Sequence, residues 1–70
     1  MTIQLDISYK TLMDMGYYDK NILEGWRIVA KWLRENIEGY FDRKFVSEEA
    51  QVQIFFELET DAMAFKLVWL

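Results

Sequence analysis

One stretch, Asn21–Glu38 (NILEGWRIVAKWLRENIE), carries the only long helical pattern in the chain, and every other segment has to be placed around it. At 3.6 residues per turn, Ile22, Trp26, Val29, Ala30, Leu33 and Ile37 fall on one stripe, with Leu23 at its edge. Glu24, Arg27, Lys31, Arg34, Glu35 and Glu38 fall opposite. Such a segment is a surface helix with one side turned to a core. Asn21, followed by Glu24 three residues on, resembles a capping box with Asn as the cap. Gly39 stands where a helix would stop. Glu24–Arg27, Lys31–Glu35 and Arg34–Glu38 are opposite charges at helical spacing. Ile28 and Trp32 lie one turn apart beside the main stripe and are left over from it.

Around this helix the chain alternates its patterns. Thr2–Ser8 (TIQLDIS) has period two, with Ile3, Leu5 and Ile7 on one side and Gln4, Asp6 and Ser8 on the other, as in a half-buried strand. In SYKTLMDMGYYDK, Ser8 could cap a short helix ending at Gly16, with Leu12, Met13 and Met15 packing beneath it; an irregular loop is the alternative. Tyr17-Tyr18 lead into the long helix. After Gly39, Tyr40, Phe41, Phe45 and Val46 are strand formers, interrupted by the polar Ser47-Glu48-Glu49. Gln51–Leu58 (QVQIFFEL) is the clearest strand, with Val52, Ile54, Phe56 and Leu58 on one face. The last segment, ETDAMAFKLVWL, reads as a helix capped by Thr60, with Ala62, Phe65 and Trp69 sharing a face; no Gly or Asn offers the positive φ of a tight hairpin. The expected fold is therefore α+β, a ferredoxin-like split βαβ lacking its fourth strand (β-α-β-β-α). Both helices would cover one face of a small antiparallel sheet. The other face would show Gln4, Asp6, Gln51, Gln53, Phe55 and Glu57.

Seventy residues make a single domain. A chain this short hides a modest share of its surface, and small domains compensate with disulfides, metals or oligomers. Cysteine and histidine are both absent, which removes disulfides and ordinary zinc sites. Three Trp, four Tyr and five Phe are more aromatic rings than one small core comfortably covers. That surplus points to self-association or a partner.

The net charge of −4 is uneven: residues 20–44 hold six bases and four acids, while residues 45–70 hold one base, Lys66, and five acids. This balance disfavours binding to polyanions. The outer sheet face offers Phe55 alone as a stacking platform, so the requirements for single-stranded nucleic acid are thinly met. No apolar run approaches the ~20 residues of a membrane span, and the N-terminal MTIQLDISYK has no signal-peptide pattern. The expectation is a soluble, cytoplasmic protein.

Chemistry finds few footholds. Ser8 and Ser47 are the only serines, and no His or Cys stands ready to activate or replace them. The three glycines are scattered, so no phosphate loop is present. Glu57, Glu59 and Asp61 are spaced two apart. On a strand all three carboxylates would point one way, as a hard cation or an acid–base site requires; the plainer reading, a solvated strand end running into a helix cap, is preferred. No catalytic residue, metal or cofactor is assigned.

Two segments, KWLRENIEGYF (Lys31–Phe41) and VQIFFELETDAMAFKLVWL (Val52–Leu70), resemble small uncharacterised accessory proteins of tailed bacteriophages, through Trp32-Leu33, Asn36, Gly39 and the closing Asp61-Ala62, Phe65-Lys66-Leu67 and Trp69. The resemblance covers about half the chain. It implies a phage accessory protein acting in the host cytoplasm, and it carries no catalytic residue with it. The expected function is thus non-enzymatic binding of a host protein, in defence or transcription. Ile28 and Trp32 form the first contact surface, and Glu57, Glu59 and Asp61 a second. A small-nucleotide or nucleic-acid binder and a structural phage component are the alternatives. A homodimer is also expected, through the Ile28–Trp32 patch or through the open edge of the first strand.

Overall fold

The computed structural model describes residues 2–15 and 21–70. Gly16, proposed above as a helix end, and the Tyr17-Tyr18 lead-in lie outside the described residues.

The chain runs β1 (Ile3–Ser8), α1 (Tyr9–Met15), α2 (Ile22–Asn36), β2 (Phe41–Val46), a turn of 3-10 helix (Ser47–Glu49), β3 (Gln51–Phe56) and α3 (Glu59–Trp69). The three strands form one antiparallel sheet in the order β1-β3-β2. An α+β fold is as expected. The element order differs from β-α-β-β-α, because the segment after β1 forms a helix of its own. Ser8 explains it: its Oγ accepts from the Thr11 backbone N–H at 3.2 Å and lies 2.8 Å from the Thr11 hydroxyl. A capping side chain thus ends the strand and starts the helix within one residue. The Tyr9 backbone N–H donates to the Ala50 carbonyl at 2.8 Å, which pins this corner to the β2–β3 turn.

Register places Ile3, Leu5 and Ile7 opposite Phe56, Ile54 and Val52, which face Phe41, Arg43 and Phe45 on the far side. These nine residues share the sheet face that meets the helices. Ile7, Val52, Ile54 and Phe56 are fully buried there, with Leu12 of α1, Trp26, Val29 and Leu33 of α2, and Ala62 and Phe65 of α3. The long-helix stripe therefore packs as its period requires, while Leu23 at its edge stays exposed. On the β2 side, Trp26 closes the core: Phe45 meets its ring edge-on at 5.7 Å, and the Arg43 guanidinium sits 6.0 Å above it.

Asn21 caps α2 as expected, its Oδ1 accepting from the Glu24 N–H at 2.9 Å. Lys31 and Glu35 approach to 3.9 Å, both well exposed, a pair of little energetic weight. Three boundaries differ from the sequence expectation. The helix stops at Asn36, whose amide donates to the Trp32 carbonyl at 2.9 Å, and Ile37 is already extended. Gly39 is therefore not a left-handed helix cap. A Cβ there would lie 2.7 Å from Leu58 Cγ and 3.2 Å from Asp61 Oδ2, so a larger residue would have to displace the Leu58 side chain. Likewise β3 ends at Phe56, and Leu58 leaves the buried row to become the N-cap residue of α3 in place of Thr60.

Two local features carry measurable energies. A Cβ on Gly25 would lie 1.9 Å from the Leu12 carbonyl oxygen, because α1 and α2 cross backbone to backbone at this point. Gly25→Ala raises helix propensity by about 1 kcal/mol, yet it must push the helices apart. A net loss of about 2 kcal/mol is expected in urea unfolding. Ala50 sits at φ 53°, the left-handed region. Ala50→Gly relieves the Cβ contact there, and a gain of up to about 1 kcal/mol is expected in the same measurement.

Candidate surface on the last helix

The five residues singled out from sequence do not come together as one site. Glu57 follows the end of β3 and Glu59 opens α3, both exposed, while Asp61 lies in the first turn of that helix and is only 5% exposed. The strand that would align the three carboxylates has already ended. Asp61 is employed inside the molecule. Its Oδ1 accepts from the Glu38 backbone N–H at 3.1 Å and its Oδ2 from the Gly39 N–H at 2.8 Å. A buried carboxylate held by two backbone donors is a structural clasp, not a contact surface. Among the described residues no three acidic side chains gather as a metal site would require.

Trp32 is likewise taken up. Its ring meets Phe65 at 6.1 Å and Trp69 at 6.0 Å, both near edge-on, and it is half-buried, as is Ile28. The indole beside the main stripe is thus covered by α3 rather than presented as an anchor. Phe65 continues the cluster inward to Phe56 at 5.5 Å. Among the described residues, Trp69 Nε1 is buried without a hydrogen-bond partner, and its ring packs against Trp32 and Phe65.

The sheet face away from the helices carries Gln4, Asp6 and Ser8, then Gln51, Gln53 and Phe55, then Asp42, Lys44 and Val46. Past the last paired residues, Tyr40 and Glu57 border this face and line a hollow with Thr2, Asp42 and Phe55. Rings set among acids with Lys44 as the one base make a poor platform for phosphate-bearing ligands.

What the sequence reading missed is the outside of α3. Ala62, Phe65 and Trp69 take the inner side as expected. Met63 is 58% exposed, Leu67 86% and Leu70 59%, and together they form an apolar stripe at i, i+4 and i+7. Val68 is exposed beside it. A helix apolar on both sides normally lies inside a protein. The stripe also borders the sheet: Met63 and Lys66 line a groove of about 360 Å³ with Ile3 and Leu5 of β1 and with Glu59 and Ala62. A second hollow of about 520 Å³ continues along Met63, Lys66, Leu67 and Leu70. The signal was present in the sequence, where AMAFKLVWL has too few polar residues for an amphipathic helix with one wet side.

Comparison with protein-family models, with curated proteins and with solved structures finds no match for the chain. Among the described residues no helix is long and apolar enough to cross a membrane.

The structural role of Asp61 has a direct check. Asp61→Asn turns an N–H₂ donor toward backbone donors and removes the charge that strengthens both bonds, so a loss of about 2 kcal/mol is expected in chemical unfolding. Glu57→Gln and Glu59→Gln, at exposed positions, are expected to change stability by less than about 0.5 kcal/mol.

Proposed function

We propose that this protein is a non-enzymatic protein-binding domain whose docking surface is the outer stripe of α3 together with the adjoining edge of β1. The observation that carries this reading is the exposed row of Met63, Leu67 and Leu70, contiguous with the groove against Ile3 and Leu5. Exposed apolar surface of this continuity, rimmed by Glu59 and Lys66, has the composition of an interface core with a polar rim. The anchor moves from the Ile28–Trp32 patch of the sequence expectation to α3, because α3 is what covers Trp32. Catalysis is disfavoured by the separation of the three acids and by the lack of any nucleophile–base pair.

The strand order β1-β3-β2 is that of a ferredoxin-like split βαβ without its fourth strand, which supports placing the chain in that architecture with α1 as an addition. The fourth strand of such a sheet would lie beside β1, which pairs with no strand other than β3 among the described residues. Together with the resemblance to phage accessory proteins, this favours a protein partner in the cytoplasm of a bacterial host.

A photo-crosslinking amino acid placed at position 67 tests the reading, with position 27 on the polar side of α2 as the control. In bacterial lysate, covalent protein adducts are expected from position 67 and few from position 27. Leu67→Glu removes an apolar side chain whose burial contributes about 1.5–3 kcal/mol, so it should weaken retention of the same partner at least about tenfold. Absence of any protein adduct from position 67, including one with a second copy, would overturn the reading.

A further inference from the structure

We infer that the first occupant of this surface is a second copy of the chain. A twofold axis passing beside Leu5 and Met63 would join two three-stranded sheets at their β1 edges and lay the two α3 helices against each other. The inference rests on the protein-binding reading and names the partner.

The two edges of the sheet differ. β2 carries Asp42-Arg43-Lys44, three consecutive charges of the kind that discourage strand pairing. β1 carries Asp6 and no Lys or Pro, and it is the edge that the apolar groove borders. Pairing at β1 also fits the direction of the helices. The chain reverses after β3, so α3 travels back over the sheet in the sense of β1, on which it packs. A twofold axis that sets β1 antiparallel to its copy therefore sets α3 antiparallel to its copy as well. One axis serves both contacts, because Leu5 and Met63 line the same groove.

The surface is complementary to itself. Glu59, Met63, Lys66 and Leu70 recur at i, i+4, i+7 and i+11 along α3. Turned about Met63, this row sets Lys66 of each copy opposite Glu59 of the other and brings the two methionines together. Turned about Leu5, β1 sets Gln4 of each copy opposite Asp6 of the other, an amide facing a carboxylate. Within one chain these two side chains already bond at 2.9 Å, so their chemistry is matched. Centring the strands on Asp6 would instead face two carboxylates. A foreign partner would require only an apolar surface; this pattern of charge is matched to itself.

Light scattering across the micromolar range should show twice the monomer mass, with dissociation on dilution. Lys66→Glu and Glu59→Lys singly replace two reciprocal attractions by repulsions. Each should weaken the dimer by about three- to tenfold, and the double swap Glu59→Lys/Lys66→Glu should restore it; circular dichroism checks that each variant keeps its helices. The chain has no cysteine, so Met63→Cys provides an independent test that leaves the charges alone. Mild oxidation should link its copies into a covalent dimer, whereas Arg27→Cys should not. A monomeric wild type with no preferential Met63→Cys linkage would overturn the second-copy inference, and adducts to a foreign protein from position 67 would then leave the protein-binding reading standing. A dimer insensitive to the charge swaps that fails to link through Met63→Cys would place the twofold contact elsewhere and also overturn it.

Discussion

The Asp61 carboxylate is the interaction on which the rest of the structure depends. It sits in the first turn of α3 and holds the backbone N–H groups of Glu38 and Gly39, the two residues that carry the chain from α2 toward β2. Three connections are thereby fixed at one point: the end of α2, the entry to β2 and the link from β3 into α3. A charge this deeply buried is costly unless its hydrogen bonds are made, so the clasp is close to all-or-none. Gly39 keeps this corner uncrowded, since a Cβ there would press on the Leu58 side chain and lie 3.2 Å from Asp61 Oδ2. Close by, the Glu57 N–H donates to the Tyr40 carbonyl at 3.1 Å and extends the tie between the strands beyond their last paired residues.

With the corner fixed, side-chain burial settles the layers. The inward rows of β1 and β3 and the stripe of α2 follow simple periods, two and 3.6, and these were readable because each has one wet side and one dry side. Ile3-Leu5-Ile7, Val52-Ile54-Phe56 and Trp26-Val29-Leu33 all lie where their spacing directs. The cap at Asn21 was equally readable, because donor and acceptor are three residues apart. What depends on partners distant in sequence was not. Asp61 binds backbone N–H groups 22 and 23 residues away, and a backbone donor leaves no mark in a sequence. Glycine at 25 answers to the Leu12 backbone, and Trp32 to rings contributed by α3. In each case the residue type was noticed, but its reason lay on another element.

The same logic explains why Trp32 stands out in the sequence and the outer side of α3 does not. Trp32 stands out because its neighbours form a sharp stripe from which it deviates. On α3 no stripe stands out, since apolar residues surround the helix, and a pattern without contrast draws no attention. The missing contrast is itself the physical signal. An eleven-residue helix is too short to hold its shape in water alone. Its inner side is held by Ala62, Phe65 and Trp69, and its outer side is as apolar as the inner one. Within the described residues, the chain supplies cover for one side and not the other.

In the proposed reading, stability and association are linked in this domain. A chain of this length has on the order of 5 kcal/mol of net stability, and burial of Met63 and Leu67 against another molecule adds a comparable increment to the helix that carries Asp61. Whatever covers the outer stripe of α3 also tightens the clasp, because both belong to the same short helix. The reverse holds too: loosening the clasp frees the start of α3 and blurs the row of side chains that a partner would meet. A ligand that binds only the folded helix raises the apparent stability of the whole domain by mass action. Among the described residues, the edge of β1 and the apolar outer side of α3 border one groove, so in the proposed reading a partner that engages one is placed to engage the other.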